Sequence, residues 1–184
     1  LERFRAKRPN GEILLDNSIF ELKEAFDSEK YAEWCEKIKP NYYIVPDVLE
    51  DSEGTMTNFL NFTLNYRDLP GATIGAVQGK TWTEVVECYR FMAAHADYIA
   101  ISFDFSMYDV TGFSNPLNPE KLMRQTTGRQ QLVKRLIDEG WWDWEKPHHL
   151  LGASLAREFK WYVNNNIYNI RSLDTSNPVV AYSC

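Results

Sequence analysis

Residues 169–178 read NIRSLDTSNP, and this stretch decides how the rest of the chain is interpreted. The apolar run at residues 167–173 predicts a buried strand, and the Asn-Pro pair at residues 177–178 predicts the turn after it. Asp174 falls where this strand ends and the loop begins. In a βα architecture, the carboxyl ends of the strands carry the catalytic groups. The position of Asp174 therefore predicts a functional carboxylate at a strand end.

The chain before this stretch alternates between strand and helix patterns. Short apolar runs predict strands at residues 13–15, 42–45, 73–77, 98–101 and 148–151. Apolar residues at helical spacing predict helices at residues 2–7, 20–38, 52–66, 81–94, 119–139 and 155–162. Ser52 and Thr81 are the expected N-caps of two of these helices. This alternation predicts an α/β fold with a parallel sheet and right-handed crossovers.

The distribution of polar residues separates two α/β architectures. Polar residues follow many strands, and neither glycine-rich phosphate motif occurs, so a (β/α)8 TIM-barrel type is favoured over an open nucleotide-binding sheet. A full barrel needs about 250 residues. Six βα units in 184 residues predict one domain, residues 1–184, that is an incomplete barrel truncated at both ends.

Composition limits the class of protein. The chain is 44% hydrophobic, which is ample for one core, and no apolar run reaches the length of a membrane span. No signal peptide is visible, and the first residue is Leu1 rather than Met. Cys35 and Cys88 lie in helical patterns and are expected to be buried, reduced thiols, while Cys184 lies far from both. These features predict a cytoplasmic protein.

The charge balance argues against strong non-specific binding of nucleic acid, because the formal net charge is −6. Local basic patches are still visible. One comprises Arg3, Arg5, Lys7 and Arg8, and the other comprises Lys121, Arg124, Arg129, Lys134 and Arg135. The preferred interpretation of each patch is a solvated helix face.

Three carboxylates stand at predicted strand ends, namely Asp16, Asp47 and Asp174. Each one alone is better explained as an N-cap of the following helix. A binding pocket instead needs hydrogen-bond acceptors, a side-chain amide and accessible backbone at one edge of the sheet. Gln78 supplies the amide, and Gly79 and Gly152 supply backbone without a side chain. The set therefore favours a pocket for a nucleobase, although tight βα turns explain the two glycines equally well.

Two other clusters carry less weight. His148-His149 opens a strand, so the two side chains point to opposite faces, and no partner cluster suggests a metal site. The tryptophans at residues 141–144 favour packing or an interface over a base-stacking platform.

An ordered set of motifs resembles the tRNA-guanine transglycosylases, and most closely their relatives, often encoded by phages, that insert 7-deazaguanines into DNA. The motifs are LDNSIFE at residues 15–21, VPD at 45–47, GAVQG at 75–79, LGAS at 151–154 and LD at 173–174. The resemblance implies a barrel in which the six predicted strands are the second to the seventh. It also implies a cytoplasmic protein, in the host if phage-encoded, acting in a queuosine, archaeosine or DNA-modification pathway.

The resemblance implies a role for each matching residue. Asp174 resembles the nucleophile that attacks C1′ of the guanosine, and Asp16 resembles the general acid and base beside it. Asp47 and Gln78 resemble the groups that read the base, and Gly79 resembles their backbone neighbour. Gly152 and Ser102 occupy the corresponding strand ends, Ser102 where the family has a glycine pair. The implied partners are DNA or tRNA and a 7-deazaguanine base, with an oligomer allowed and no membrane.

The family's zinc site would lie beyond the end of this sequence, so no cofactor is visible. Two other functions fit the same strand pattern. One is a barrel lyase or hydrolase for a small polar metabolite, which needs a lysine or a metal cluster at the strand ends, where Lys80 is the one lysine that can be placed. The other is a catalytically inactive barrel that serves for binding.

Overall fold

The structure is a computed structural model that describes residues 2–17, 27–103, 106–114, 117, 120–153 and 156–174. Its elements in chain order are α1 (Glu2–Lys7), β1 (Leu14–Leu15), α2 (Ser28–Ile38), β2 (Tyr42–Ile44), α3 (Ser52–Asn65), β3 (Ala72–Val77), α4 (Trp82–His95), β4 (Tyr98–Ser102), α5 (Met107–Val110), α6 (Lys121–Asp138), β5 (His148–Leu151), α7 (Ala156–Asn164) and β6 (Ile170–Leu173). The six strands form one sheet in chain order, and each pairs with its neighbours in parallel. The predicted α/β class with a parallel sheet is therefore confirmed.

The sheet is curled into a half-barrel. Strands β1 and β6 stand at opposite ends of the strand order. Nevertheless Leu14 and Asp16 from the β1 end and Ser172 and Asp174 from the β6 end line one cavity. A flat sheet of six strands would hold these residues more than 20 Å apart at about 4.8 Å per strand. Curling therefore brings the two edges of the sheet to a common pocket.

Both faces of the sheet are covered by apolar side chains, which explains why the strands are short continuous apolar runs. The outer face packs against the helices through a large cluster that includes Tyr43, Val77, Ile99, Ile101 and Leu150. The inner face carries a smaller cluster of Ile44, Ile74, Ala76 and Ala100. Alternate residues along each strand thus serve the two sides, as the period of two requires.

Hydrogen-bonding side chains fix where the helices begin. Thr81 caps α4, as predicted, and also forms a capping box with Glu84. The prediction of Ser52 as a cap is wrong, because Asp51 accepts a hydrogen bond from the backbone N–H of Gly54 at 3.0 Å and Ser52 is the first helical residue. Helix α2 begins after its cap Asp27, and residues 20–26 of the predicted helix lie outside the described residues.

One short helix, α5, lies between β4 and α6, where the sequence analysis predicts no element. Met107 and Tyr108 are fully buried, and the Tyr108 hydroxyl donates to the carbonyl oxygen of Ser102 at 2.7 Å. A helix of four residues has little stability of its own, so packing against the end of β4 stabilises it. Sequence periodicity cannot predict such an element.

Strand β6 differs from the prediction of a buried strand. Arg171 and Leu173 are exposed, and the described part of the chain provides β6 with one neighbour, β5. As an edge strand of the half-barrel, β6 buries alternate residues. The prediction took the apolar residues as evidence of two covered faces, and that part of it is wrong.

The solvated-face interpretation of the second basic patch is wrong at one position. Arg129 is completely buried, whereas Lys121 and Lys134 are exposed as expected and Arg124 and Arg135 are partly exposed. The predicted burial of Cys35 and Cys88 is confirmed, and both thiols are free. Cys184 lies outside the described residues. Within the described ranges, no helix has the length and apolar character needed to cross a membrane.

Candidate functional site

The carboxyl ends of the six strands lie at one end of the half-barrel, which we call the rim. All the residues predicted for the site lie in a strand end at the rim or within three residues of one: Asp16 after β1, Asp47 after β2, Gln78 and Gly79 after β3, Ser102 in β4, Gly152 after β5 and Asp174 after β6. Because the strands are parallel, their ends converge without any further folding step. The predicted positions of these residues at strand ends are confirmed, and their functional roles stay predictions.

Asp16 and Asp174 line a cavity of about 320 Å³ between the two edges of the half-barrel. Its apolar wall includes Leu14, Ile44 and Leu151 from three strands. A pocket of this volume is within the range of small-ligand sites. Two carboxylates from opposite edges of the sheet thus face one apolar-walled cavity.

Asp47 is buried among hydrogen-bond donors rather than at a helix start. Its Oδ1 accepts from Nδ2 of Asn17 at 2.6 Å, and its Oδ2 accepts from Nε2 of Gln78 at 2.6 Å. The side-chain oxygen Oε1 of Gln78 accepts in turn from the backbone N–H of Glu50 at 2.9 Å. These contacts join the ends of β1, β2 and β3. The N-cap interpretation of Asp47 is therefore wrong, since Asp51 caps the helix that follows.

Asp47 and Asp174 have opposite pKa shifts. Burial raises the pKa of Asp47, the hydrogen bonds from Asn17 and Gln78 only partly offset it, and the nearby charge of Asp16 raises it further. Burial also raises the pKa of Asp174, but contacts from His149 and from the backbone N–H of Gly152 outweigh burial and lower it overall. Asp174 is therefore ionised at neutral pH.

Asp174 is held from the neighbouring strand end. The backbone N–H of Gly152 donates to its Oδ1 at 2.8 Å, and Nε2 of His149 lies 3.3 Å from the same oxygen. No described side chain donates to Oδ2, and the side chain of Asp174 is 57% exposed. One oxygen is thus anchored, and the other is available to a molecule in the cavity.

His149 is the residue that the sequence interpretation missed. The prediction that the two histidines point to opposite faces is confirmed, because His148 stacks on Trp142 at 3.8 Å in the outer core while His149 lines the cavity. Nδ1 of His149 lies 2.8 Å from Oγ of Ser172. Strand alternation signals that one of the pair faces inward, but nothing in the sequence indicates its partners.

The two glycines of the rim have structural explanations. Gly79 has φ +153°, and a Cβ there would lie 2.9 Å from Cβ of Glu84, so this glycine permits close packing on α4. Gly152 has φ +64°, which favours glycine, and its N–H is engaged by Asp174. The geometry therefore explains both glycines without a role in ligand binding.

Ser102 ends β4 two residues after Ala100, so it shares the inner face with that residue. Its Oγ is buried and has no hydrogen-bond partner in the described part of the chain. A buried hydroxyl without a partner costs about 1–3 kcal/mol, which a bound polar molecule would offset. Ser102 thus remains a candidate binding residue.

The remaining clusters are structural where they are described. Trp142 is buried against His148 and Asn169, as the packing interpretation predicted, while Trp141 and Trp144 are partly exposed. Lys80, which the lyase alternative requires, is exposed and does not line the cavity. Among the described residues, no group of three or more His, Cys, Asp or Glu side chains has the geometry to hold a metal ion.

Fold and site together define a parallel α/β half-barrel with a carboxylate cluster at the carboxyl ends of its strands. Comparison with models of known protein families found no match for this chain, and comparison with curated proteins found none either.

Proposed function

We propose that the half-barrel represents six of the eight units of a (β/α)8 barrel and that the protein is a base-exchange transglycosylase. In this proposal it replaces guanine in DNA or tRNA with a 7-deazaguanine. The single observation that carries the proposal is the state of Asp174. It is an ionised carboxylate, anchored through Oδ1 and free at Oδ2, in a cavity shared with Asp16. The resemblance of the rim motifs to the tRNA-guanine transglycosylases supplies the substrate class.

The first half of the reaction is a displacement at C1′ of the target nucleotide. Oδ2 of Asp174 attacks C1′, and a covalent ester forms as the bond between C1′ and N9 of guanine breaks. The electron pair of the broken bond goes to the base, and Asp16 donates a proton to it. The products of this half are free guanine, ionised Asp16 and a ribosyl-Asp174 intermediate.

The second half reverses these steps with a different base. Asp16 removes the proton from N9 of the incoming deazaguanine, and N9 attacks C1′. The ester bond to Asp174 breaks, and its electron pair returns to the carboxylate. Atoms and charges balance over the cycle. Two displacements at the same carbon also retain the configuration of the glycosidic bond.

Base recognition falls to the buried pair at the ends of β2 and β3. Asp47 and Gln78 are 3% and 1% exposed and already oriented by Asn17 and by the backbone of Glu50. Such preorganised acceptors and donors suit the hydrogen-bonding edge of a purine-like base. The C1′ atom is inaccessible within a duplex, so the nucleotide must be flipped out or already unpaired.

The proposal is tested by incubating the full-length protein with labelled guanine and either tRNA or duplex DNA. Incorporation of label into one polymer identifies the substrate. Asp174→Asn is expected to reduce incorporation by at least about a thousandfold with the fold retained, because covalent catalysis needs the anion. Without incoming base, the wild type should form a denaturant-resistant adduct that Asp174→Asn lacks.

Asp51→Asn is the matched control, because it makes the same chemical change at an exposed helix cap outside the cavity. It is expected to exchange base at the wild-type rate. Normal turnover by Asp174→Asn, or an adduct on another residue, would contradict the assignment of Asp174.

A second candidate is a barrel that binds a base without exchanging it. It is favoured by one observation, namely that the buried Oγ of Ser102 has no hydrogen-bond partner in the described part of the chain, so a bound polar molecule would satisfy it. In that case guanine or a deazaguanine would bind to the protein, and Asp174→Asn would bind it as well as the wild type does.

A further inference from the structure

We propose that His149 is a positioning residue that holds the Asp174 carboxylate in the orientation required for attack, with Ser172 fixing the imidazole. This inference rests on the proposed function and deepens it. The sequence did not point to either residue, and the assignment comes from the three-residue chain Ser172–His149–Asp174 at the junction of β5 and β6.

A β-bulge creates this chain. Residue His148 pairs with Ile170, but His149 pairs with Ser172, so Arg171 is an extra residue on β6. In a regular strand Ser172 would point to the same face as Ile170, which packs in the outer core. The bulge instead places Ser172 beside the inward-facing His149. Bulges often re-aim side chains next to active sites.

The contacts select one tautomer of the imidazole. Asp174 is ionised and only accepts hydrogen bonds, so Nε2 of His149 must carry the proton that faces it. In the neutral ring Nδ1 is then an acceptor, and the Ser172 hydroxyl, 2.8 Å away, is its donor. Ser172 thus sets which nitrogen of His149 faces the nucleophile.

His149 and Asp174 are in contact, but the contact is not a well-aligned hydrogen bond in this structure. Nε2 is 3.3 Å from Oδ1, is buried, and makes no well-aligned hydrogen bond within the described part of the chain. Catalytic hydrogen bonds are often long without substrate and tighten in the complex. Together with the N–H of Gly152, this contact holds Oδ1 from two directions and leaves Oδ2 for C1′.

Within the described residues, His149 is the one side chain that contacts the Asp174 carboxylate. The other ionisable side chains that line the cavity are those of Glu12, Asp16 and Tyr42. The Tyr42 hydroxyl donates to Oε1 of Glu12 at 3.1 Å, and neither of these two side chains contacts Asp174. Without the imidazole, only the Gly152 N–H would fix the carboxylate, and rotation about its side-chain torsions would misplace Oδ2.

The experiment compares variants of the full-length protein for the single-turnover rate of adduct formation with nucleic acid. His149→Leu removes the donor and should slow adduct formation by about 10- to 100-fold, the range expected for a misplaced reacting group, with little change in KM. His149→Gln places an amide N–H near the position of Nε2 and should recover most of the rate. Ser172→Ala should have a smaller effect in the same direction.

His95→Gln is the matched control, because His95 lies on the exposed surface of α4 away from the cavity. It should form the adduct at the wild-type rate. Equal rates for wild type and His149→Leu, or no recovery with His149→Gln relative to a folded Leu variant, would overturn the proposal. If His149→Leu fails to fold, the rates of Ser172→Ala and His149→Gln test the proposal instead. A wild-type rate of adduct formation by Ser172→Ala would then overturn the proposal.

A second measurement, the titration of the Asp174 carboxyl, does not depend on enzymatic activity. The midpoint of the Asp174 carboxyl titration, followed by carbon NMR, should move to higher pH in His149→Leu and stay near the wild-type value in His149→Gln. An unchanged midpoint in a folded Leu variant would overturn the proposal. If the wild type forms no adduct at all, the proposed function fails, and the titration still shows whether His149 holds the carboxylate.

Discussion

Asp47 and Asp174 stand at the same rim but are held in different ways. Asp47 is enclosed and its pKa is raised, whereas Asp174 reaches the cavity and its pKa is lowered. Carboxylates whose pKa values are pushed apart by their surroundings commonly take different chemical roles. The difference suits Asp47 to binding and Asp174 to nucleophilic attack.

Asp47→Asn is expected to lower the free energy of unfolding by about 1–3 kcal/mol, since an amide cannot accept from two donors through both of its terminal atoms. In the wild type, Asn17 and Gln78 each donate to one carboxylate oxygen. Urea unfolding at pH 7 measures the change. Asp51→Asn is the control, and it should change stability by less than about 0.5 kcal/mol because Asn also caps helices.

The same variant has a defined pH signature. The pKa of Asp47 is raised on folding, so its contribution to stability is present at low pH and is lost as the pH rises through the folded-state pKa. Asp47→Asn lacks this dependence, so the two proteins should differ less in stability at pH 7 than at pH 4. A constant difference across this range would contradict the raised pKa.

At the scale of the elements, a buried ion pair fastens two helices to two strands. Arg129 on α6 donates to both carboxylate oxygens of Glu158 on α7, at 2.7 and 3.0 Å. Its Nη1 also donates to the carbonyl oxygens of Ile101 in β4 and Leu151 in β5. Both side chains are fully buried. The pair thus supports the strand ends that carry Ser102 and Gly152.

Glu158→Gln is expected to destabilise the fold by about 3–5 kcal/mol, because it leaves a buried guanidinium without a counter-charge. Thermal or urea unfolding measures this loss. The control is Glu139→Gln, which breaks an exposed pair with Arg135 and should cost less than about 1 kcal/mol. Equal losses in the two variants would mean that the buried pair contributes no more than a surface pair.

The local sequence pattern predicts the strands and the ends of the strands, whereas packing between distant parts of the chain determines which polar side chains are buried and paired. The six strands and the rim positions of Asp16, Asp47 and Asp174 could be predicted, because a buried parallel strand is an apolar run that ends at a polar residue. The burial of Arg129 could not, because Glu158 is 29 residues away in the sequence. The pairing of His149 with Ser172 depends on a bulge, which no residue pattern here indicates.

At the scale of the whole molecule, the site depends on the curvature of the sheet. The cavity is lined from β1 at one edge and from β6 at the other, so Asp16 and Asp174 meet only when all six strands are in place. Conditions that loosen the outer core should therefore also disrupt the site. Acid is the condition for which the structure provides a specific cause.

The cause is His148, which lies in the outer core, stacks on Trp142 and contacts the Tyr89 hydroxyl at 2.9 Å. Burial lowers its pKa from 6.5 to about 3. Stability is therefore fully present above about pH 6.5 and is lost as the pH falls below it, since only the unfolded chain takes up the proton. The slope is about 1.4 kcal/mol per pH unit, or about 2 kcal/mol between pH 6.5 and pH 5.

Urea unfolding at half-unit steps between pH 7 and pH 5 measures this slope above the range in which most carboxylates titrate. His148→Gln is expected to be less stable at pH 7, because it loses the aromatic stack, but to show a flatter pH dependence than the wild type. His95→Gln, at the exposed end of α4, should keep the wild-type slope. Parallel curves for the wild type and His148→Gln would show that protonation of this buried ring does not govern acid stability.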